Sequence, residues 1–244
     1  MHTLPVLNIA TYRFFRVEEP EALAQQLREH LKELEIKGTI LLAQEGINLF
    51  LAGTPLAITA FRQFVERPEM PEALRSLDYK ESWSEAIPFK RLKIKVKPEI
   101  VTFRQPDLSP AIYRSPSVTP QELKNWLDAQ EDVILLDTRN TFEFERGAFA
   151  GAMHLGNDDF CEFAESVKAL PEDIKHKKVV TFCTGGIRCE KAAPFMEHHG
   201  FKNVYQLEGG ILRYFEHIGR DHYEGECFVF DERRTVDSEL KVKS

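Results

Sequence analysis

The chain has 244 residues, of which 43% are hydrophobic and 29% charged, with a formal net charge of −7. This composition belongs to a soluble globular protein of one or two domains with ample core. No apolar run approaches a membrane span, and the start MHTLPVLNIATYRFF lacks the basic segment and cleavage site of a signal peptide.

The acidic balance is uneven. Residues 1–110 hold 15 basic and 15 acidic side chains, and residues 111–244 hold 17 and 24, so the whole deficit lies in the second half. Residues 4–15 read as a strand. Residues 18–35 place Leu23, Leu27, Leu31 and Leu34 at helical spacing, with Pro20 in the first turn. Strands are expected at 37–43 and 46–52, separated by the turn-prone Gln44-Glu45-Gly46. Thr54 can cap a helix over 55–66, with Leu56, Ala60, Phe61, Phe64 and Val65 on its apolar face. Further strands at 77–83 and 92–96 complete a β-α-β-β-α-β order with one extra strand. That order predicts a ferredoxin-like (acylphosphatase-like) α+β domain over residues 1–103.

Within it, FKRLKIKVK (89–97) carries five bases, Lys90, Arg91, Lys93, Lys95 and Lys97, and no acid. Leu92, Ile94 and Val96 alternate with Lys93, Lys95 and Lys97, so a strand here buries one face and presents lysines on the other. Such a row attracts a phosphate backbone. It equally suits an edge strand protected against aggregation. Trp83, Phe89 and Phe103 nearby are candidates for base stacking or for core.

Residues 104–117, with Pro106, Pro110 and Pro116, read as an interdomain linker. Thr119 and Pro120 open a helix to about residue 129. The apolar strand 133–136 suits a parallel sheet buried on both faces, and it runs into Asp137-Thr138-Arg139. A helix is expected over 160–169, a strand over 178–182, a helix over 190–199, a strand over 203–206 and a last helix to about 218. Alternating strands and helices predict an α/β domain with a parallel sheet over 118–222, followed by a tail, 223–244.

The chemistry concentrates in TFCTGGIRCE (181–190). Cys183 sits at the C-terminal end of a buried strand, on a tight loop before a helix. Loop N–H groups and the helix N-terminus stabilise negative charge there, and Arg188 adds a fixed cation. Together they lower the thiol pKa and make Cys183 a nucleophile. Thr184, Gly185, Gly186 and Ile187 form the loop. The C-x4-R spacing is one residue shorter than a phosphate-wrapping C-x5-R loop and fits a smaller anion such as a persulfide terminus. An inert packed cysteine is the alternative. Arg188 can orient the loop, stabilise anionic sulfur, or both.

Cys189 is a candidate resolving thiol or a small packed side chain. Asp137 and Arg139 are read as a salt bridge supporting the loop. Cys161 and Cys227 are read as structural. Four cysteines without framework spacing indicate reduced thiols and a cytoplasmic location. The eight histidines carry no metal signature, and no G-x-G-x-x-G or Walker loop supports flavin, NAD or ATP, so no cofactor is evident.

The strand ending in Asp137-Thr138-Arg139, then Glu143, Phe144 and 147–152, the loop Cys183–Arg188, and Leu207-Glu208-Gly209-Gly210 together resemble a rhodanese domain. That resemblance implies a persulfide on Cys183 during turnover. GINLFLAG (46–53), IPFKRLKIKVKPEIV (87–101), CTGGIRCE (183–190) and GECFVFD (225–231) extend the resemblance, over almost the whole chain, to the tRNA uridine(34) hydroxylase family. It implies oxygen-dependent conversion of the tRNA wobble uridine to 5-hydroxyuridine. Molecular oxygen is then the cosubstrate, tRNA the partner, and prephenate a helper metabolite for which no binding motif is readable.

The competing expectations are a sulfurtransferase working through a Cys183 persulfide, which the loop length favours, and a tRNA-binding or redox-sensing module with a regulatory cysteine pair. Salt-dependent tRNA binding through Lys93, Lys95 and Lys97 separates the RNA readings from a simple sulfurtransferase.

Overall fold

The computed structural model describes residues 5–105 and 108–242. It divides into two compact units. The first runs through Val101 and includes Asp231–Arg233; the second comprises Thr102–Phe230 and the chain from Arg234.

The first unit follows the expected order: β1 (Val6–Phe14), α1 (Pro20–Glu33), β2 (Lys37–Ala43), β3 (Gly46–Gly53), α2 (Pro55–Val65), β4 (Lys80–Ser84) and β5 (Leu92–Val96). Its sheet has the order β4-β1-β3-β2-β5. The pairs β1–β3, β1–β4 and β2–β3 are antiparallel and β2–β5 is parallel, which is a ferredoxin-like sheet with β5 added at one edge. The leucine spacing read from the sequence buries Leu23, Leu27 and Leu31 of α1 against Ile40, Leu42, Leu49 and Leu51 of the sheet. Each such side chain contributes about 1.5–3 kcal/mol by leaving water. Thr54 caps α2, its hydroxyl accepting from the Ala57 N–H at 3.2 Å. The buried face of α2 is Ala57, Ile58, Phe61 and Val65, whereas Leu56, expected on it, is exposed. Pro55 occupies the first helical position, so Leu56 lies in the first turn.

On β5, Leu92, Ile94 and Val96 pack on the core while Lys93, Lys95 and Lys97 are exposed. The predicted strand 77–83 begins only at Lys80.

The second unit contains β6 (Ser117–Val118), α3 (Pro120–Asp128), β7 (Val133–Asp137), α4 (Thr141–Phe144), β8 (Gly147–Phe149), β9 (Met153–His154), α5 (Phe163–Lys168), β10 (Lys178–Phe182), α6 (Cys189–His198), β11 (Asn203–Leu207), α7 (Gly210–His217), β12 (Tyr223–Gly225), β13 (Cys227–Phe228) and β14 (Thr235–Val236). Its main sheet, β6-β11-β10-β7-β9, is parallel throughout. The central strand β10 buries Val179, Val180 and Phe182, as its unbroken apolar run requires. Thr119 and Glu122 form a reciprocal capping box at α3.

Three segments differ from the sequence reading. Phe103 is fully buried in the second unit, stacked on Phe160 at 4.7 Å and edge-on to Phe195 at 5.4 Å, so it is core and not a base-stacking candidate. The expected linker also packs on this unit. Tyr113 and Ser115 donate to Glu197 at 2.9 and 2.7 Å, and Ser115 accepts from Gln206 at 3.1 Å. Pro106 lies outside the described residues. The expected tail is likewise structured. In it, β12 pairs with β8, β13 pairs with β14, and Arg233 of the first unit donates to Ser82.

Candidate active site

Cys183 lies just past the carboxyl end of β10, where open α/β sheets place their chemistry. Two segments fix this strand end. The Thr138 N–H and hydroxyl donate to the Phe182 carbonyl at 2.9 and 3.0 Å. The first turn of α7 donates to the loop carbonyls, Ile211 N–H to Cys183 and Leu212 N–H to Thr184, both at 3.0 Å. Gly210, at φ +64°, lies so close that a Cβ there would fall 2.3 Å from the Cys183 carbonyl oxygen and 2.8 Å from the Gly186 nitrogen. A side chain at residue 210 would therefore push the loop away.

The loop turns its amides toward sulfur. Gly186, at φ +97°, donates its N–H to Cys183 Sγ at 3.1 Å. Gly185 has no such conformational need, and a Cβ there would meet nothing within 4 Å. Cys183 is 0% exposed. Burial alone pushes its thiol up. Donation from the Cys189 thiol, the Arg188 charge and the Arg188 and Gly186 N–H groups outweigh burial and hold the pKa down at about 5. The same contact acts oppositely on Cys189: burial and the neighbouring Cys183 sulfur keep its thiol protonated, well above the ordinary value. The Thr181 and Thr138 hydroxyls also neighbour it, Thr138 Oγ1 at 3.8 Å. The pair is thus one thiolate with one adjacent proton donor.

Arg188 is held in a buried fork. Its Nη1 and Nη2 donate to Glu143 Oε2 and Oε1 at 2.6 and 2.7 Å, and Glu143 is fully buried. Glu143 is placed by α4, where its carboxylate accepts from the Asn140 N–H at 3.2 Å. The single Thr184 Oγ1 proton is shared between Glu143 Oε1 at 3.4 Å and the Phe228 carbonyl at 3.3 Å. Ile187 is partly exposed at the loop surface.

Asp137 and Arg139 form a buried pair, with Nη2 of Arg139 at 2.6 Å from Asp137 and 2.7 Å from the Gly147 carbonyl. It therefore ties β7 to β8, while the direct contacts to the Cys183 loop come from Thr138, Glu143 and Gly210. Cys227 is buried and its thiol is pushed up to about 12 by burial, so it is inert at neutral pH. Cys161 donates weakly to the Thr102 carbonyl at 3.6 Å.

Glu143 enters the sequence reading only through the rhodanese resemblance. The N-x-x-E spacing from Asn140, a helix-start signal, is the local cue that places it on α4. Gly210 has no local cue to its contact with Cys183, which joins positions 27 residues apart. The basic row, Lys90, Arg91, Lys93, Lys95 and Lys97, belongs to the first unit and is exposed, with Lys90 3.9 Å from Glu232. Among the described residues no group of three or more His, Cys, Asp or Glu side chains is placed to hold a metal ion, and no helix is long and apolar enough to cross a membrane.

The UPF0176 acylphosphatase like domain family matches residues 6–100, and the Rhodanese-like domain family matches residues 119–217. A tRNA uridine(34) hydroxylase of Variovorax paradoxus is 48% identical, over 98% of this chain and 92% of its own length. One of Burkholderia ambifaria is 44% identical, over 98% of this chain and 86% of its own. The solved rhodanese-like domain of an Anabaena protein is 25% identical, covering 46% of this chain and 80% of that one, with a TM-score of 0.38. At this identity over nearly the full length, the chain belongs to the tRNA uridine(34) hydroxylase family.

Proposed function

We propose that this protein hydroxylates the wobble uridine, position 34, of tRNA at C5 to give 5-hydroxyuridine, with Cys183 as its nucleophile. The observation that carries the reading is a buried cysteine sulfur that accepts from a loop amide at 3.1 Å in the Cys183–Arg188 loop, in a chain whose near-full-length relatives bear that activity in their names.

The chemistry follows from the residues. A thiolate adding to uracil C6 places electron density on C5, which then attacks an oxygen electrophile. Loss of the C5 proton and expulsion of Cys183 restore the ring. With molecular oxygen as cosubstrate, one oxygen atom goes to C5 and the other leaves as water, which takes two electrons and two protons from a reductant. Gly186 and Arg188 hold the sulfur anionic, and Cys189 supplies a proton beside it. Because Cys183 is wholly covered, the base reaches sulfur only when the covering groups are displaced. Lys93, Lys95 and Lys97 hold the tRNA backbone through exposed ammonium groups.

The test is purified protein with unmodified tRNA and a thiol reductant under 18O2. The proposal expects 5-hydroxyuridine at position 34 carrying the heavy isotope. The loop spacing also suits sulfur transfer. Transfer of sulfur from added thiosulfate to added cyanide, giving sulfite and thiocyanate, with no tRNA product would replace the proposal with a sulfurtransferase.

A further inference from the structure

Beside the Cys183 loop three phenylalanine rings meet at the surface. Phe142 stands edge-on to Phe228 at 5.1 Å, and Phe228 edge-on to Phe230 at 5.2 Å. Phe142 and Phe230 are 44% and 48% exposed, unusual for large apolar side chains in this protein. Each is tied to the loop. Phe142 precedes Glu143, which grips Arg188. Phe228 accepts from Thr184 through its carbonyl. Phe230 has the Arg188 guanidinium carbon 5.8 Å from its ring centroid.

These rings are poorly used as core, since two of them keep nearly half their surface in water. The exposed part of Phe142 and Phe230 offers aromatic surface beside the loop, which suits stacking. The charge nearest them is already neutralised, because Arg188 is committed to Glu143. A free phosphate therefore gains little here, whereas an uncharged planar base gains a π face. Enzymes that modify a base in a folded RNA draw it out of its stack and hold it against aromatic side chains.

We infer that Phe142 and Phe230 form the platform that holds the substrate's uracil against the Cys183 loop. This rests on the tRNA hydroxylase reading. The two rings are positioning residues: they orient the C5–C6 edge toward the sulfur and carry no chemistry. The lysine row, in the first unit, contributes backbone affinity separately.

Two measurements test it. An anticodon stem–loop with 5-iodouridine at position 34, irradiated on the protein, should crosslink to peptides containing Phe142 or Phe230. Crosslinks confined to other peptides overturn the inference. This readout does not need turnover: if no 5-hydroxyuridine forms but the crosslinks fall on these rings, the platform stands and the hydroxylase reading fails. In steady-state assays, Phe142→Ala and Phe230→Ala should each lower kcat/KM for tRNA roughly 5- to 150-fold, the fold-change of one base–aromatic contact. Phe230→Tyr, which keeps the ring, should stay within about threefold of wild type, and the Cys183 titration should be unmoved in all three. Alanine variants within twofold of wild type, or a tyrosine variant as impaired as alanine, would show that the rings serve a second protein surface or local packing instead, and would overturn the inference.

Discussion

Severing the Glu143–Arg188 pair tests the electrostatic design of the loop. Both carboxylate oxygens are engaged, at 2.6 and 2.7 Å, and neither side chain is more than 8% exposed. Arg188→Met strands a buried carboxylate, and Glu143→Leu strands a buried guanidinium. Either should cost about 3–5 kcal/mol, because the remaining charge keeps no opposite charge and little water. That is a large part of the ~5–15 kcal/mol available to a folded domain. The double variant should cost less than either single one, since apolar replacement of a whole buried pair is close to neutral. Urea unfolding of the four proteins gives the stabilities. Thiolate absorbance at 240 nm against pH, with Cys183→Ser as the blank, gives the charge state of sulfur. The two single variants should move the thiol in opposite senses. In Arg188→Met the cation is gone and a carboxylate remains, so the pKa rises from about 5 toward the ordinary ~8.5. In Glu143→Leu the cation is unopposed and the pKa falls below about 5. The folded thiol is held below its unfolded value, so its stabilising contribution is complete above pH ~8.5 and is lost as pH falls through about 5. Part of the Arg188→Met deficit should therefore shrink on acidification. A double variant equal to the sum of the singles, or singles that shift the thiol in the same direction, would refute this reasoning.

Other perturbations are equally specific. Gly210→Ala places a Cβ 2.3 Å from the Cys183 carbonyl at a φ of +64°, so it should destabilise the protein by about 1–3 kcal/mol and raise the Cys183 pKa as the loop shifts; an unchanged unfolding midpoint and titration would count against the contact. Gly185→Ala, with open space around it, should be nearly silent in both measurements. Cys189→Ala removes the neighbouring thiol donor and should raise the Cys183 pKa without reversing the loop's preference for thiolate, read by the same absorbance titration. Substituting Lys93, Lys95 and Lys97 by alanine should weaken tRNA binding and reduce the slope of log K against log salt by about 0.7–0.9 for each phosphate that is no longer neutralised, with little change in stability; an unaltered slope would leave β5 as a protected edge and nothing more.

Much of this molecule is legible in its sequence. The leucine spacing of α1, the alternation along β5 and the apolar run of β10 follow directly from which faces they bury, and the cysteine at the end of β10 follows from strand, glycine, arginine and helix arriving in that order. What escapes is of two kinds. The strands β8, β9, β12, β13 and β14 are two or three residues long, too short for any period to show. Long-range packing is the other kind. Nothing near Phe103 says that its ring is enclosed by Phe160 and Phe195. Likewise, Asp137 and Arg139 sit at the strand end expected of loop supports, yet tertiary packing aims them at Gly147 and leaves the loop to Thr138, Glu143 and Gly210.

The most direct test is nucleoside mass spectrometry of tRNA from cells lacking this protein, and lacking any second route to the modification, complemented with wild type or Cys183→Ala. The account predicts that 5-hydroxyuridine-derived wobble nucleosides return with wild type and stay absent with the alanine variant expressed at equal level. Normal modification with Cys183→Ala would remove the thiolate from the mechanism, and modification unchanged by the deletion itself would remove the hydroxylase function.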